Sequence, residues 1–77
     1  MSGLVSPLES VAVLTTDIAT LQHDLRVKIF LALEAGASWA EVGRALGVTA
    51  QAAHKRYRWL RYSQVTDQTW HEPPLPT

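Results

Sequence analysis

Cysteine is absent from the chain, which excludes disulfide frameworks, thiolate zinc sites and cysteine nucleophiles and fits a reducing compartment. Long apolar runs are absent as well. None approaches the roughly 18 residues that a membrane span requires, and the first residues lack the basic region and apolar stretch of a signal peptide, so a cytoplasmic protein is expected. Proline is nearly missing from the interior: three of the four prolines lie between 73 and 76. What the chain does have is apolar content, 47% hydrophobic with three tryptophans, as expected of a folded protein rather than a disordered one. At 77 residues one domain with a small core is marginal unless a partner adds buried surface, which makes a homo-oligomer the starting expectation.

Net charge is zero, yet the charges are unevenly placed. Residues 1–41 carry Arg26 and Lys28 against Glu9, Asp17, Asp24, Glu34 and Glu41, a net of minus three. Residues 42–62 carry Arg44, Lys55, Arg56, Arg58 and Arg61 with no acid, a net of plus five. The last segment holds Asp67 and Glu72. A positive field concentrated in so short a stretch suits a phosphate-binding face; the plainer reading is a solvated helix surface.

Ser6, Pro7 and Glu9 form a helix start, with a capping hydroxyl, proline at the first helical position and an acid three residues after the cap. From there Val11, Leu14, Ile18, Leu21 and Leu25 recur at alternating spacings of three and four, the seam of a heptad. Ile29, Ala32 and Leu33 continue the apolar face to Gly36, which stops the helix. A helix over about 7–35 is predicted, on the order of 40 Å long. Thr15, Thr16 and Asp17 favour caps and invite a break, but the seam passes through them without a phase shift, so continuity is expected. A stripe longer than its own domain predicts a homodimer through Val11, Leu14, Ile18, Leu21 and Leu25; the alternative folds the stripe back as ordinary core.

The stretch "GASWAEVGRALGVTAQAAHKRYRWL" holds two further helix starts. Ser38 and Glu41 form a capping box for a helix to about Leu46, Gly47 supplies a left-handed turn, and Thr49 caps a third helix running to about Tyr62. In that register Val42, Leu46, Val48, Ala53, Tyr57 and Leu60 face inward, and small residues at Ala40, Gly43 and Ala45 let the two helices cross closely.

This stretch resembles the helix-turn-helix of small actinobacterial DNA-binding proteins and, more loosely, of sigma-factor region 4. The resemblance covers residues 29–61 and rests on Gly47 at the turn, Gly43 four residues before it, and Leu46 and Val48 on either side; Arg56 departs from it, standing where an aliphatic residue is common. It implies that the helix over 39–46 braces on the DNA backbone and that the helix over 50–62 enters the major groove. Thr49, Ala50, Gln51, His54, Lys55 and Arg58 then form the reading face. Gln51 suits adenine N6 and N7, and Ala50 a thymine methyl. His54 suits a guanine or a phosphate, whereas Lys55, Arg58 and Arg61 suit phosphates. Ser38 and the amides beside it offer another phosphate site, and Arg44 adds to the basic face. The plainer reading of Gln51 and His54 is a solvated polar pair.

Other chemistry finds little support. Trp39 and Trp59 are expected as core anchors. His23, His54 and His71 lack metal spacing, and the carboxylates have no nucleophile motif or phosphate loop beside them. Neither an enzyme nor a cofactor or metal site is expected. The segment 63–77 is expected as an extended, irregular tail leaving a helical domain of 1–62, with Trp70 tying back onto the domain. A wing formed by "QVTDQTW" is the least favoured arrangement, because its turn lacks glycine or asparagine and its strands are short.

The sequence thus predicts an all-α protein, a long N-terminal helix followed by a helix-turn-helix at 38–62 and a Pro-rich tail. Its predicted role is a non-enzymatic, homodimeric transcriptional regulator that binds double-stranded DNA. The alternative is an interaction module that binds a larger regulator or polymerase subunit through the long helix or the tail.

Overall fold

A computed structural model describes residues 6–73. In chain order they form α1 (Pro7–Glu34), α2 (Trp39–Leu46), α3 (Ala50–Tyr57), β1 (Leu60–Ser63) and β2 (Gln68–His71). The fold is therefore mostly helical but not all-α, since β1 and β2 pair as a two-stranded antiparallel sheet.

Helix α1 begins where Ser6 accepts the Glu9 N–H and runs unbroken through Thr15–Asp17. The two threonines fit because their hydroxyls donate to the carbonyls one turn back, Thr15 to Val11 at 2.7 Å and Thr16 to Ala12 at 3.1 Å, which satisfies them without a cap. Its 28 residues span about 42 Å. That length dominates the 60 × 28 × 24 Å envelope, because only the C-terminal part of α1 packs on the rest of the chain.

The core is small: Ile29 from α1, Val42 from α2, Ala53 and Tyr57 from α3, and Leu60 from β1. Phe30, Leu33, Ala37, Trp39 and Leu46 close around it. Val48, expected inside, is 45% exposed, because the turn that holds it is used for backbone contact between α2 and α3 rather than for packing. Trp59, expected as an anchor, is half-buried outside this cluster, with the Arg58 guanidinium 5.2 Å over its ring.

The largest correction concerns residues 58–71. The expected helix over 50–62 ends at Tyr57, followed by a turn at Arg58 and Trp59, and the expected helix-turn-helix is not what forms. Two eight-residue helices are joined by a short turn and followed directly by a hairpin. Burying both Tyr57 and Leu60 leaves Leu60 as the first residue of a strand. Arg61 and Tyr62 then alternate faces opposite Trp70 and Thr69, in the period-two pattern of a sheet. The supposedly irregular tail supplies β2. Its turn needs no glycine, since Asp67 takes the left-handed conformation at φ 53°, which aspartate tolerates better than most residues.

The hairpin is short but braced. Leu60, Tyr62, Thr69 and His71 share its inner face, where the Phe30 and Tyr62 rings lie 6.1 Å apart and Arg26 Nε donates to Thr69 Oγ1 at 3.1 Å. At the turn, the Tyr62 hydroxyl donates to Asp67 at 2.9 Å, and His23 Nε2 stands 3.3 Å from the same carboxylate oxygen. The Glu72 N–H donates to the Trp59 carbonyl at 2.8 Å and closes the open end.

Candidate nucleic-acid interface

Helix α3 carries the candidate face. Thr49 caps it by accepting the Ala52 N–H at 3.0 Å, and Ala53 and Tyr57 turn inward to the core. That anchoring fixes the rotation of the rest. Gln51, His54, Lys55 and Arg58, spaced as i, i+3, i+4 and i+7, fall together on one side of the helical turns, and all four are exposed. His54 is oriented by an edge-to-face contact with Trp39, ring centroids 5.2 Å apart at 82°. Arg58 belongs to the residue just past the last helical turn, where its N–H donates to the His54 carbonyl.

Arg56, the departure from the resembled pattern, lies on a different flank. It reaches 5.4 Å over the Tyr57 ring and, with Arg26, lines a groove between α3 and α1 whose walls include Gln22, Leu25 and Val48.

The remaining predicted residues divide sharply. Arg44 is exposed on α2. The Thr49 hydroxyl is used by its cap, and Ala50 is half-buried. Arg61 lies on the outer face of the hairpin, where it meets Glu72 at 3.6 Å and donates to the Leu60 carbonyl at 3.0 Å, so its charge is partly spent within the chain. Ser38 is drawn into the capping box. Its hydroxyl accepts the Glu41 N–H at 3.1 Å while its own N–H donates to the Glu41 carboxylate at 2.9 Å. That backbone hydrogen bond, then the hydroxyl and then Arg44, hold the Glu41 carboxyl below its ordinary range. A charged carboxylate therefore sits at the α2 N-terminus, where a phosphate would have to come. Helix α3 has no acidic residue in its first turn.

Sequence reasoning missed the network that holds the hairpin, Arg26 with Thr69 and His23 with Asp67 and Tyr62. The one local signal was the alternation of aromatic and polar residues in Arg61–Tyr62 and Thr69–Trp70. Trp70 itself does not tie back to the core. It is 44% exposed on the outer face, directly opposite Arg61, and the tail is held through Thr69 and Asp67 instead.

The seam residues Val11, Leu14, Ile18, Leu21 and Leu25 all lie on α1, and each is 42–66% exposed. Among the described residues, no group of three or more His, Asp or Glu is arranged to hold a metal, and no helix is long and apolar enough to cross a membrane. Comparison with protein-family models, curated proteins and solved structures gives no match, so the residues themselves carry the functional reading.

Proposed function

We propose that this protein binds double-stranded DNA through the exposed side of α3 and acts in the cytoplasm as a homodimeric transcriptional regulator. The observation that carries the reading is the convergence of Gln51, His54, Lys55 and Arg58 on one exposed side of a helix that has no acidic residue of its own. No aspartate or glutamate occurs between 42 and 66, so the field over this side is positive although the chain is neutral. A short helix standing on a rigid core suits a major groove, about 12 Å wide. In that placement Gln51 meets a base edge, His54 is steadied by Trp39, and Lys55 and Arg58 flank the phosphates. Arg44 extends the positive surface along α2. Ser38 has no part in this interface, because Glu41 already occupies its helix start.

Fluorescence polarisation with a labelled duplex of random sequence tests the reading. Binding is expected at roughly 50 mM salt, with a loss of at least tenfold by roughly 200 mM as phosphate contacts are screened. Absence of binding at the lower salt would remove the DNA reading. The other reading, an interaction module for a larger regulator or polymerase subunit, would then stand on the exposed apolar stripe of α1.

A further inference from the structure

The exposed stripe on α1 specifies more than association. We infer that two copies of this chain pair through residues 7–25 of α1 as a parallel, in-register, two-stranded coiled coil that puts both α3 helices at the same end of the rod. The inference deepens the homodimeric reading above and rests on it only for the use made of the two heads; the pairing follows from α1 itself.

Four features of α1 lead to it. The first 15 residues of α1 are almost entirely exposed and include three threonines and an aspartate, poor formers of helix interiors. A helix of that length without a covered face is marginal in water. Its apolar residues occupy the two seam positions of a heptad in a selective way. Val11, Ile18 and Leu25 fall at one seam position and Leu14 and Leu21 at the other. β-branched Val11 and Ile18 at the first with leucine at the second is the arrangement that favours two parallel strands over three or four, and Leu25 departs from it only at the end of the seam.

The residues flanking the seam choose the direction. On one side stand Ser10, Asp17 and Asp24; on the other, Leu8, Thr15 and Gln22. A parallel pair brings unlike sides together, so that Asp17 of one copy faces Gln22 of the second, a carboxylate against an amide that can donate to it. An antiparallel pair brings like sides together and sets aspartate against aspartate, which is repulsive. A heterologous partner would need its own matching stripe, whereas a second copy already supplies one. The next seam position after Leu25 is Lys28. A charge there ends the coil before the core of each head begins at Ile29, and the two heads diverge from a common stalk.

The chain's lack of cysteine makes the test direct. Sedimentation equilibrium at tens of micromolar is expected to give twice the 8.5 kDa chain mass. Leu14→Cys and Leu21→Cys, made separately, are each expected to give a covalent dimer on mild oxidation, and Thr16→Cys, on the outer side of the helix, is not. Only a parallel in-register pair places both Leu14 and Leu21 against their own copies; an antiparallel pair can satisfy at most one of them. Both leucines lie outside the head core, so the head stays folded in either variant. A monomer, a trimer, or cross-linking of just one of the two variants would overturn the proposal. A dimer in which both variants cross-link but which binds no duplex supports the coil and removes the DNA reading instead.

Discussion

The Val48 N–H donates to the Gly43 carbonyl at 2.8 Å, and a Cβ added to Gly43 would stand 2.8 Å from the Val48 carbonyl oxygen and 2.9 Å from that of Thr49. Helices α2 and α3 thus meet through bare backbone, and the turn between them is held from both sides. Gly43→Ala forces backbone apart rather than a flexible side chain, and it is expected to cost about 1–3 kcal/mol. Gly47→Ala fails for a different reason. Nothing lies within 4 Å of its added Cβ, but φ is +77°, so the cost is conformational, about 1–2 kcal/mol, and Gly47→Asn recovers part of it. Thermal melts of the three variants check this. A Gly43→Ala protein that melts with the unmodified one would remove the close approach of the two helices.

The hairpin turn is expected to weaken in acid. The Tyr62 hydroxyl, and after it His23, hold the Asp67 carboxyl below its ordinary value. A depressed folded-state value means that the charged form stabilises the fold. That contribution is present in full above the unfolded-state value of about 3.9 and is lost as pH falls through the lower folded-state value. Asp67→Asn removes the charge at every pH, so its stability should fall less steeply than that of the unmodified protein between about pH 5 and pH 2. The same hydrogen bond raises the Tyr62 hydroxyl above its ordinary value, so its contribution is present below about pH 10 and lost as pH rises through the raised value. Parallel acid profiles from Asp67→Asn and the unmodified chain would show that this carboxylate has no part in holding the turn.

Leu60 and Trp70 belong to facing strands but have opposite duties. Leu60 is 3% exposed and completes the core, while Trp70 is 44% exposed beside Arg61. Leu60→Ala is expected to cost about 2–5 kcal/mol. Trp70→Ala, despite removing the larger side chain, should cost less than Leu60→Ala, because nearly half of the tryptophan's surface stays in water and its removal leaves no core cavity. Chemical denaturation of both variants decides the matter. A larger loss from Trp70→Ala would mean that the tryptophan, and not Thr69 and Asp67, holds the tail.

What was legible in the sequence was local. The capping residues Ser6, Ser38 and Thr49 and the left-handed Gly47 mark helix ends by chemistry within four residues of themselves, and the structure uses each of them. The seam on α1 is legible for the same reason, since a helix needs no distant partner to define its period. The end of α3 was not, because nothing in "HKRYRWLRY" forbids a helix. The chain leaves the helix there because Tyr57 and Leu60 are both buried and because a strand eight residues further on pairs back, and both are tertiary effects. The turn at Asp67 escaped notice because glycine and asparagine are the usual marks of a left-handed residue, and aspartate is a weaker one. On the candidate interface, the basic segment was visible as charge. The removal of Ser38 and the partial neutralisation of Arg61 were not, because Glu41 and Glu72 act on them through contacts rather than through sequence distance.

Gln51 and Arg58 occupy the same side of α3, seven residues apart, and the proposed DNA reading assigns them different work. Gln51 stands in the first turn, where an amide can present both donor and acceptor to one base edge. Gln51→Ala should therefore cost roughly 1–3 kcal/mol on a preferred site, much less on random duplex, and flatten the preference at one base pair. Arg58 sits at the far end, 5.2 Å over the Trp59 ring, which pre-orders a cation suited to a phosphate. Arg58→Ala should weaken preferred and random duplexes alike, and the slope of log affinity against log salt should shrink by about one unit. Arg61→Ala supplies the contrast, since its guanidinium is partly neutralised by Glu72 and its removal should change that slope by less. A preferred site selected from a random pool, a scrambled control and two salt concentrations are sufficient. If Gln51→Ala leaves the preference intact while Arg58→Ala still reduces the salt slope, α3 grips DNA without reading it, and sequence selectivity must come from another part of the chain.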